Sequence, residues 1–100
     1  MVRRITWTAR AQNDRRKIFE YWNNRNKSNL YSRKLNELIR QSLVLIAKYP
    51  LIGKRTDKKN VRLKVLKEYL IIYEVMTKEI LVLTIWDCRQ NPEDLNRIMK

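Results

Sequence analysis

The chain reads as an α+β domain of order β-α-α-β-β-β, two N-terminal helices packed on a small antiparallel sheet. Three observations predict this. A helix-spaced apolar stripe runs through residues 31–49. Three strand-like segments, 61–66, 69–76 and 79–86, are parted by only two residues each, which is hairpin spacing. One Gly and two Pro in 100 residues leave little room for long loops. This length predicts a single domain over residues 1–100.

Each element has its own signal. Val2–Trp7 is β-prone, with Ile5 and Trp7 alternating about Thr6. Thr8 is a plausible N-cap for a helix starting near Ala9. Ala11, Ile18, Phe19 and Trp22 share a face of that helix, which should run to Trp22 or Asn24. The polar stretch Asn23–Asn29 then connects to a second helix capped by Ser28 or Asn29. Its buried stripe is expected at Tyr31, Leu35, Leu38, Ile39, Ser42, Leu45, Ile46 and Tyr49. Pro50 stops it, because proline cannot continue a helix. Leu51–Asn60 reads as a loop holding the one glycine, Gly53, before the three strands. The continuous apolar runs Leu70–Tyr73 and Ile80–Leu83 mark central strands. Asn91–Asp94 reads as a turn into a last short helix, with Pro92 near its first position.

Composition narrows the chemistry. Lys and Arg number 23 against 10 Asp and Glu, a formal charge of +13, and there is no histidine. That charge predicts a polyanionic partner, nucleic acid or acidic protein. The missing histidine excludes a His general base, a Cys–His or Ser–His pair and any His-ligated metal. With a single cysteine as well, no cofactor and no metal site is expected. Cys88 has no partner for an intramolecular disulfide, which favours the reducing cytoplasm. It reads as a small buried residue rather than a nucleophile. No apolar run follows Arg3-Arg4, so the N-terminus does not read as a signal peptide. The longest apolar run, Ile80–Trp86 with Thr84 inside it, is too short to span a membrane, and no membrane contact is expected.

Three constellations stand out. Lys54, Arg55, Lys58, Lys59, Arg62, Lys64 and Lys67 make the densest basic stretch, against one acid, Asp57. In a strand starting at Val61, alternation puts Arg62 and Lys64 on one face and Val61, Leu63 and Val65 on the other. The expectation is a basic row on an exposed sheet face, suited to phosphate or carboxylate. Tyr69 and Tyr73 share a face and, with Trp86, either flank that row for base stacking or fill a small core. Arg89, at the end of the last strand, either adds to the basic face with Asp87 orienting it or forms a structural pair. The helical half is as basic as the sheet: residues 1–50 carry a net charge of +9. Such spread favours an acidic protein wrapping the surface.

The ordered strings Thr8–Ile18, Tyr49–Arg55, Arg62 followed by Tyr69-Leu70-Ile71-Ile72-Tyr73, and Ile80–Arg89 resemble a RelE/ParE-superfamily toxin of a bacterial type II toxin–antitoxin pair. The resemblance covers nearly the full length. It implies a small basic toxin that inhibits growth and forms a hetero-oligomer with a co-expressed acidic antitoxin. RelE-like members cut mRNA in the ribosomal A site, and ParE-like members poison DNA gyrase. A RelE-like enzyme would hold the scissile phosphate with Arg62, Lys64 and Arg89 and the RNA backbone with Lys54 and Arg55. Leu95, however, stands where a RelE tyrosine would act, and the RelE second-strand arginine aligns near Val65. An arginine seven residues before Tyr-x-Ile-x-Tyr is the ParE pattern. The resemblance therefore implies a ParE-like toxin acting on gyrase, with Lys54, Arg55, Lys58, Lys59, Arg62, Lys64, Tyr69, Tyr73 and Arg89 toward the target. An mRNA endonuclease is the alternative, and a non-toxic basic nucleic-acid-binding module the second.

Overall fold

The structure, a computed structural model, describes residues 2–89. The elements are β1 (Arg4–Trp7), α1 (Ala9–Asn26), α2 (Leu30–Lys48), a 3-10 turn (Pro50–Ile52), β2 (Lys54–Arg55), β3 (Val61–Leu66), β4 (Tyr69–Val75) and β5 (Glu79–Asp87). The expected turn at Asn91–Asp94 and the helix after it lie outside the described residues.

The five strands form one sheet of order β1-β5-β4-β3-β2. β2, β3, β4 and β5 pair antiparallel, but β1 lies parallel to β5, with Ile5 opposite Ile80 and Trp7 opposite Val82. The sheet is thus mixed rather than wholly antiparallel. Alternation tells which face a residue takes; it does not tell which neighbour a terminal strand finds or in which direction it runs. The long connection between them, the α1–α2 hairpin followed by β2, β3 and β4, allows a parallel pair.

Capping chemistry sets the helix ends. The Thr8 hydroxyl accepts from Ala11 N at 3.1 Å and donates to the Val82 carbonyl at 2.9 Å, so one side chain starts α1 and ties it to β5. At the other end Lys27 adopts a left-handed conformation (φ 52°) as the C-cap. Asn29 is the N-cap of α2 but makes no side-chain capping bond, while Ser28 Oγ accepts from Leu30 N at 3.2 Å.

Both helices lie on one sheet face. Ala11, Leu35, Ile39, Leu43 and Ile46 pack on Tyr69, Ile71, Tyr73, Ile80, Val82 and Ile85. The buried side of α2 is turned slightly from the expected stripe. Leu43 and Ala47 are buried, whereas Leu45 and Tyr49 are 38% and 53% exposed. Ser32 explains part of the turn: it is buried because its hydroxyl donates to Phe19 O of α1 at 3.0 Å, so contact with α1 helps set the rotation. The opposite sheet face carries a smaller apolar cluster of Val61, Ile72 and Trp86, with Leu63, Leu70 and Leu83 against it.

A register shift separates these faces along β5. Ile72 pairs with Thr84 and Tyr73 with Val82, leaving Leu83 as an extra residue. Such a bulge re-aims the side chains beside it. Here it lets the buried Thr84 donate to the Asp14 carboxylate of α1.

Thr8→Ala removes the α1 cap and the side-chain tie to β5 together, leaving the backbone bond from residue 8 N to Val82 O. It is expected to lower unfolding free energy by about 1–2 kcal/mol in urea denaturation, with Thr8→Ser recovering most of the loss.

Candidate functional site

A hydrogen-bonded polar constellation joins the turn after α2 to the sheet. Tyr73 Oη donates to the Pro50 carbonyl at 2.8 Å and accepts from Gly53 N at 2.9 Å. Arg62 Nη1 donates to Gly53 O at 2.8 Å and to Leu51 O at 3.2 Å. Two side chains, opposite each other in the β3–β4 register, thus hold the turn at residues 50–53. The same geometry explains the only glycine. A Cβ on Gly53 would collide with Tyr73 Oη and sit 2.8 Å from Leu63 O. Burial pushes the Tyr73 hydroxyl above its ordinary value, against the Gly53 N–H and the Arg62 charge, which both favour the phenolate. Tyr73 therefore stays a neutral donor.

Beyond this turn lies a basic loop. Lys54, Arg55, Lys58 and Lys59 are exposed, and Arg62 and Lys64 are half-buried. The loop is held by local bonds. Thr56 N and Thr56 Oγ1 donate to the Val61 carbonyl at 3.3 and 2.9 Å, and Thr56 Oγ1 accepts from Lys58 N at 3.2 Å. Asn60 sits at φ 66°, and its carbonyl accepts from Val75 N at 2.7 Å. Around this loop opens a pocket of about 400 Å³ whose lining includes Arg55, Asp57, Lys58, Lys59 and Arg62.

The aromatic expectation changes. Tyr69 and Tyr73 are 2% and 0% exposed, so neither ring is open to stack a base. Tyr69 lies in the helix-covered core, its Oη accepting from Trp22 Nε1 at 2.7 Å. Trp86 belongs to the opposite face. The row Arg62–Lys64 lies on the helix side of the sheet, beyond the helices at its β3 edge, and the other face is the apolar one. The period of two separates the faces correctly, but charge alone does not tell which of them the helices cover.

Arg89 sits apart, at the far end of β5. Its Nε and Nη2 donate to the Asp87 carboxylate at 3.0 and 2.8 Å, with Glu68 at 3.9 Å and the Tyr21 ring 5.8 Å away. The Arg89 bonds hold the Asp87 carboxyl below its ordinary value. From the register, Arg62 and Asp87 are four residues and two strands apart, roughly 16 Å between backbones. The structure therefore brings Arg55, Lys58, Lys59 and Arg62 together around one pocket, with Lys64 farther along the Arg62 face, whereas Lys54 pairs with Leu63 and takes the opposite face, and Arg89 lies in a separate charge cluster. Cys88 is exposed rather than buried, and desolvation together with Asp87 raises its thiol above the ordinary value.

A second cleft, about 480 Å³, lies between α1 and the end of β5 and is lined by Arg10, Asp14, Lys17, Tyr21, Asp87 and Arg89 among others. Sequence reading missed its α1 side. The spacing 10, 14, 17 and 21 is one helical stripe and was the available signal. Among the described residues no cluster of Cys, Asp and Glu has the arrangement of a metal site. No helix of the described chain is long and apolar enough to cross a membrane.

Tyr73→Phe deletes both bonds of its hydroxyl in a buried setting and should cost about 1–3 kcal/mol in chemical denaturation. It also tests a pH effect. Tyr69 and Tyr73 both release their protons above the ordinary tyrosine value of 10.0 when folded. Below that value both states keep the proton and the contribution is intact; as pH rises past it the unfolded state ionises first, and stability falls. Denaturation midpoints followed through the alkaline range should fall less steeply in Tyr73→Phe than in the parent chain.

Residues 5–92 match the family model described as the ParE toxin of the type II toxin–antitoxin system parDE. Among solved structures, a chain described as the chromosomal ParDE toxin–antitoxin system from P. aeruginosa is similar in fold. Its TM-score is 0.73 at 19% identity, over 86% of this chain and 96% of that one. No curated protein matches this chain in sequence. The family match spans both helices, the turn held by Arg62 and Tyr73 and all five strands, and the chain belongs to the ParE toxin family of type II toxin–antitoxin systems.

Proposed function

We propose that the toxin arrests growth by acting on DNA gyrase and is neutralised by an acidic antitoxin encoded beside it. The observation that carries the reading is the ParE family match over residues 5–92. The Arg62–Tyr73 spacing supports it, as does the charge of +13 spread over helices and sheet, which suits an acidic chain laid across the surface. The similar P. aeruginosa structure is described as a two-part ParDE system. A gyrase target sets the site of action in the cytoplasm.

The mRNA-nuclease reading draws less support. It needs Arg62, Lys64 and Arg89 on one phosphate to stabilise charge as a 2′-OH attacks. Arg62 instead spends a nitrogen on two backbone carbonyls, and Arg89 faces Asp87.

Induced expression in a bacterial host should stop growth and accumulate covalent gyrase–DNA complexes while mRNA stays intact. Codon-linked mRNA cuts that vanish with Arg89→Ala would replace gyrase by the ribosome. Unimpaired growth would return the chain to a basic binding module. Co-expression of the adjacent gene should restore growth. The purified pair should associate at about 10⁷ M⁻¹s⁻¹ or faster at low salt, slowing steeply as salt rises.

A further inference from the structure

Positive charge on this molecule falls into two populations. Arg4, Arg10, Arg16, Arg40 and Arg89 each sit within 4.0 Å of a carboxylate. Most of the described cations lack such a pair, and a group of these gathers around the basic loop. Arg55, Lys58, Lys59 and Arg62 line one pocket of about 400 Å³. Among the described residues none of them has an ion-pair partner, and the one acid there, Asp57, has none either.

The register makes this arrangement costly. Arg55 and Arg62 are direct partners across the antiparallel β2–β3 pair. Like charges placed opposite each other destabilise a sheet unless an anion comes between them. Other parts of the fold nonetheless enforce the placement. Pro50, Leu51 and Gly53 fix Arg62 through Nη1 and Tyr73, leaving Nε and Nη2 without hydrogen bonds among the described residues. Thr56 shapes the loop that carries Lys58 and Lys59. Arg62 and the backbone of the loop are therefore held in position before any ligand arrives, which lowers the entropic cost of binding one.

The geometry points to this pocket as a binding site for the phosphodiester backbone of duplex DNA, distinct from whatever surface meets the gyrase protein. Four cations converging on one concavity exceed what a single carboxylate neutralises. Duplex DNA carries about one charge per 1.7 Å of axis and supplies several phosphates to such a surface. Guanidinium forks match phosphate oxygens in pairs. The inference deepens the gyrase reading and rests on it for the place where toxin and DNA meet. A toxin gripping DNA beside the enzyme would add a second contact to the complex.

The test compares two triple variants of equal charge change. Arg55→Gln/Lys58→Gln/Lys59→Gln strips the pocket, and Lys27→Gln/Arg33→Gln/Lys34→Gln strips the α1–α2 junction. All six residues are exposed and their side chains make no hydrogen bond or ion pair among the described residues, so thermal midpoints should stay with the parent. Binding of a short labelled duplex is followed by anisotropy over a salt series, without gyrase. The pocket variant should weaken binding at least about tenfold, and its salt slope should shrink by about 2 to 3, near 0.9 per lost phosphate contact. The junction variant should keep the parent slope. Equal losses in both variants would mean diffuse attraction and overturn the proposal. Tighter binding of poly-glutamate than of duplex, lost in the same pocket variant, would assign the pocket to an acidic protein and overturn it too. Gyrase cleavage assays with the parent chain run in parallel. If the parent forms no cleavage complexes, the gyrase reading fails, while the slope difference still decides the pocket.

Discussion

The Tyr73 hydroxyl is the point on which the basic half of the molecule turns. It donates to Pro50 O, accepts from Gly53 N and is buried, so nothing in solvent can replace either bond. Its partner Arg62 adds two more bonds to the same turn. Each bond alone is worth about 1 kcal/mol net, but leaving a buried group without its partner costs more than that. Pro50 ends α2, and Gly53 gives the room for tyrosine and backbone to meet. Only with the turn closed does the chain re-enter the sheet as β2, with Arg55 set against Arg62. One buried phenol thus ties the residues after the helix end to the sheet.

Most of the fold was legible because each element carried a local reason. The two short gaps after β3, each expected at two residues, allow little but a meander, and β3 matches the expected span of 61–66, with β4 and β5 differing by one residue at their ends. Lys67 shows where local rules were weak: it takes φ 57° in a turn without the usual Asn-Gly pair, so its type was not readable. Thr8 was readable as a cap from side-chain chemistry alone. What was not readable depends on partners distant in sequence. The parallel β1–β5 pairing, the rotation of α2 toward Leu43 and Ala47, and the bulge that turns Thr84 to Asp14 all arise from tertiary contact.

The site divides the same way. Composition and spacing found the basic stretch from Lys54 to Lys64, since charge density is visible without a fold. The tyrosines were harder. A pattern such as Arg62…Tyr69-x-x-x-Tyr73 is compatible with an aromatic binding face and with a core, and burial decides for the core. Their polar ends then matter more than their rings. Tyr73 positions Arg62 and the turn, and Tyr69 anchors Trp22 of α1. The residues nearest the family pattern are thus those that shape the surface, while the residues free to touch a partner are the lysines and Arg55 around them.

This distinction bears on how a small basic toxin stays folded without its antitoxin. A net charge of +13 on 100 residues favours expansion through self-repulsion. Part of that repulsion is relieved locally, as Arg40 is by Glu37 and Arg89 by Asp87. Exposed pairs of this kind contribute little each, so they neutralise rather than stabilise. The pocket cations have no such ion pair among the described residues, and Arg62 is held instead by donating to the neutral carbonyls of Leu51 and Gly53. A concavity lined by Arg55, Lys58, Lys59 and Arg62 is complementary to an anion. An acidic antitoxin and DNA both satisfy that condition. On the proposed function the two would compete for one electrostatic feature, and an antitoxin that covered the pocket would block DNA there.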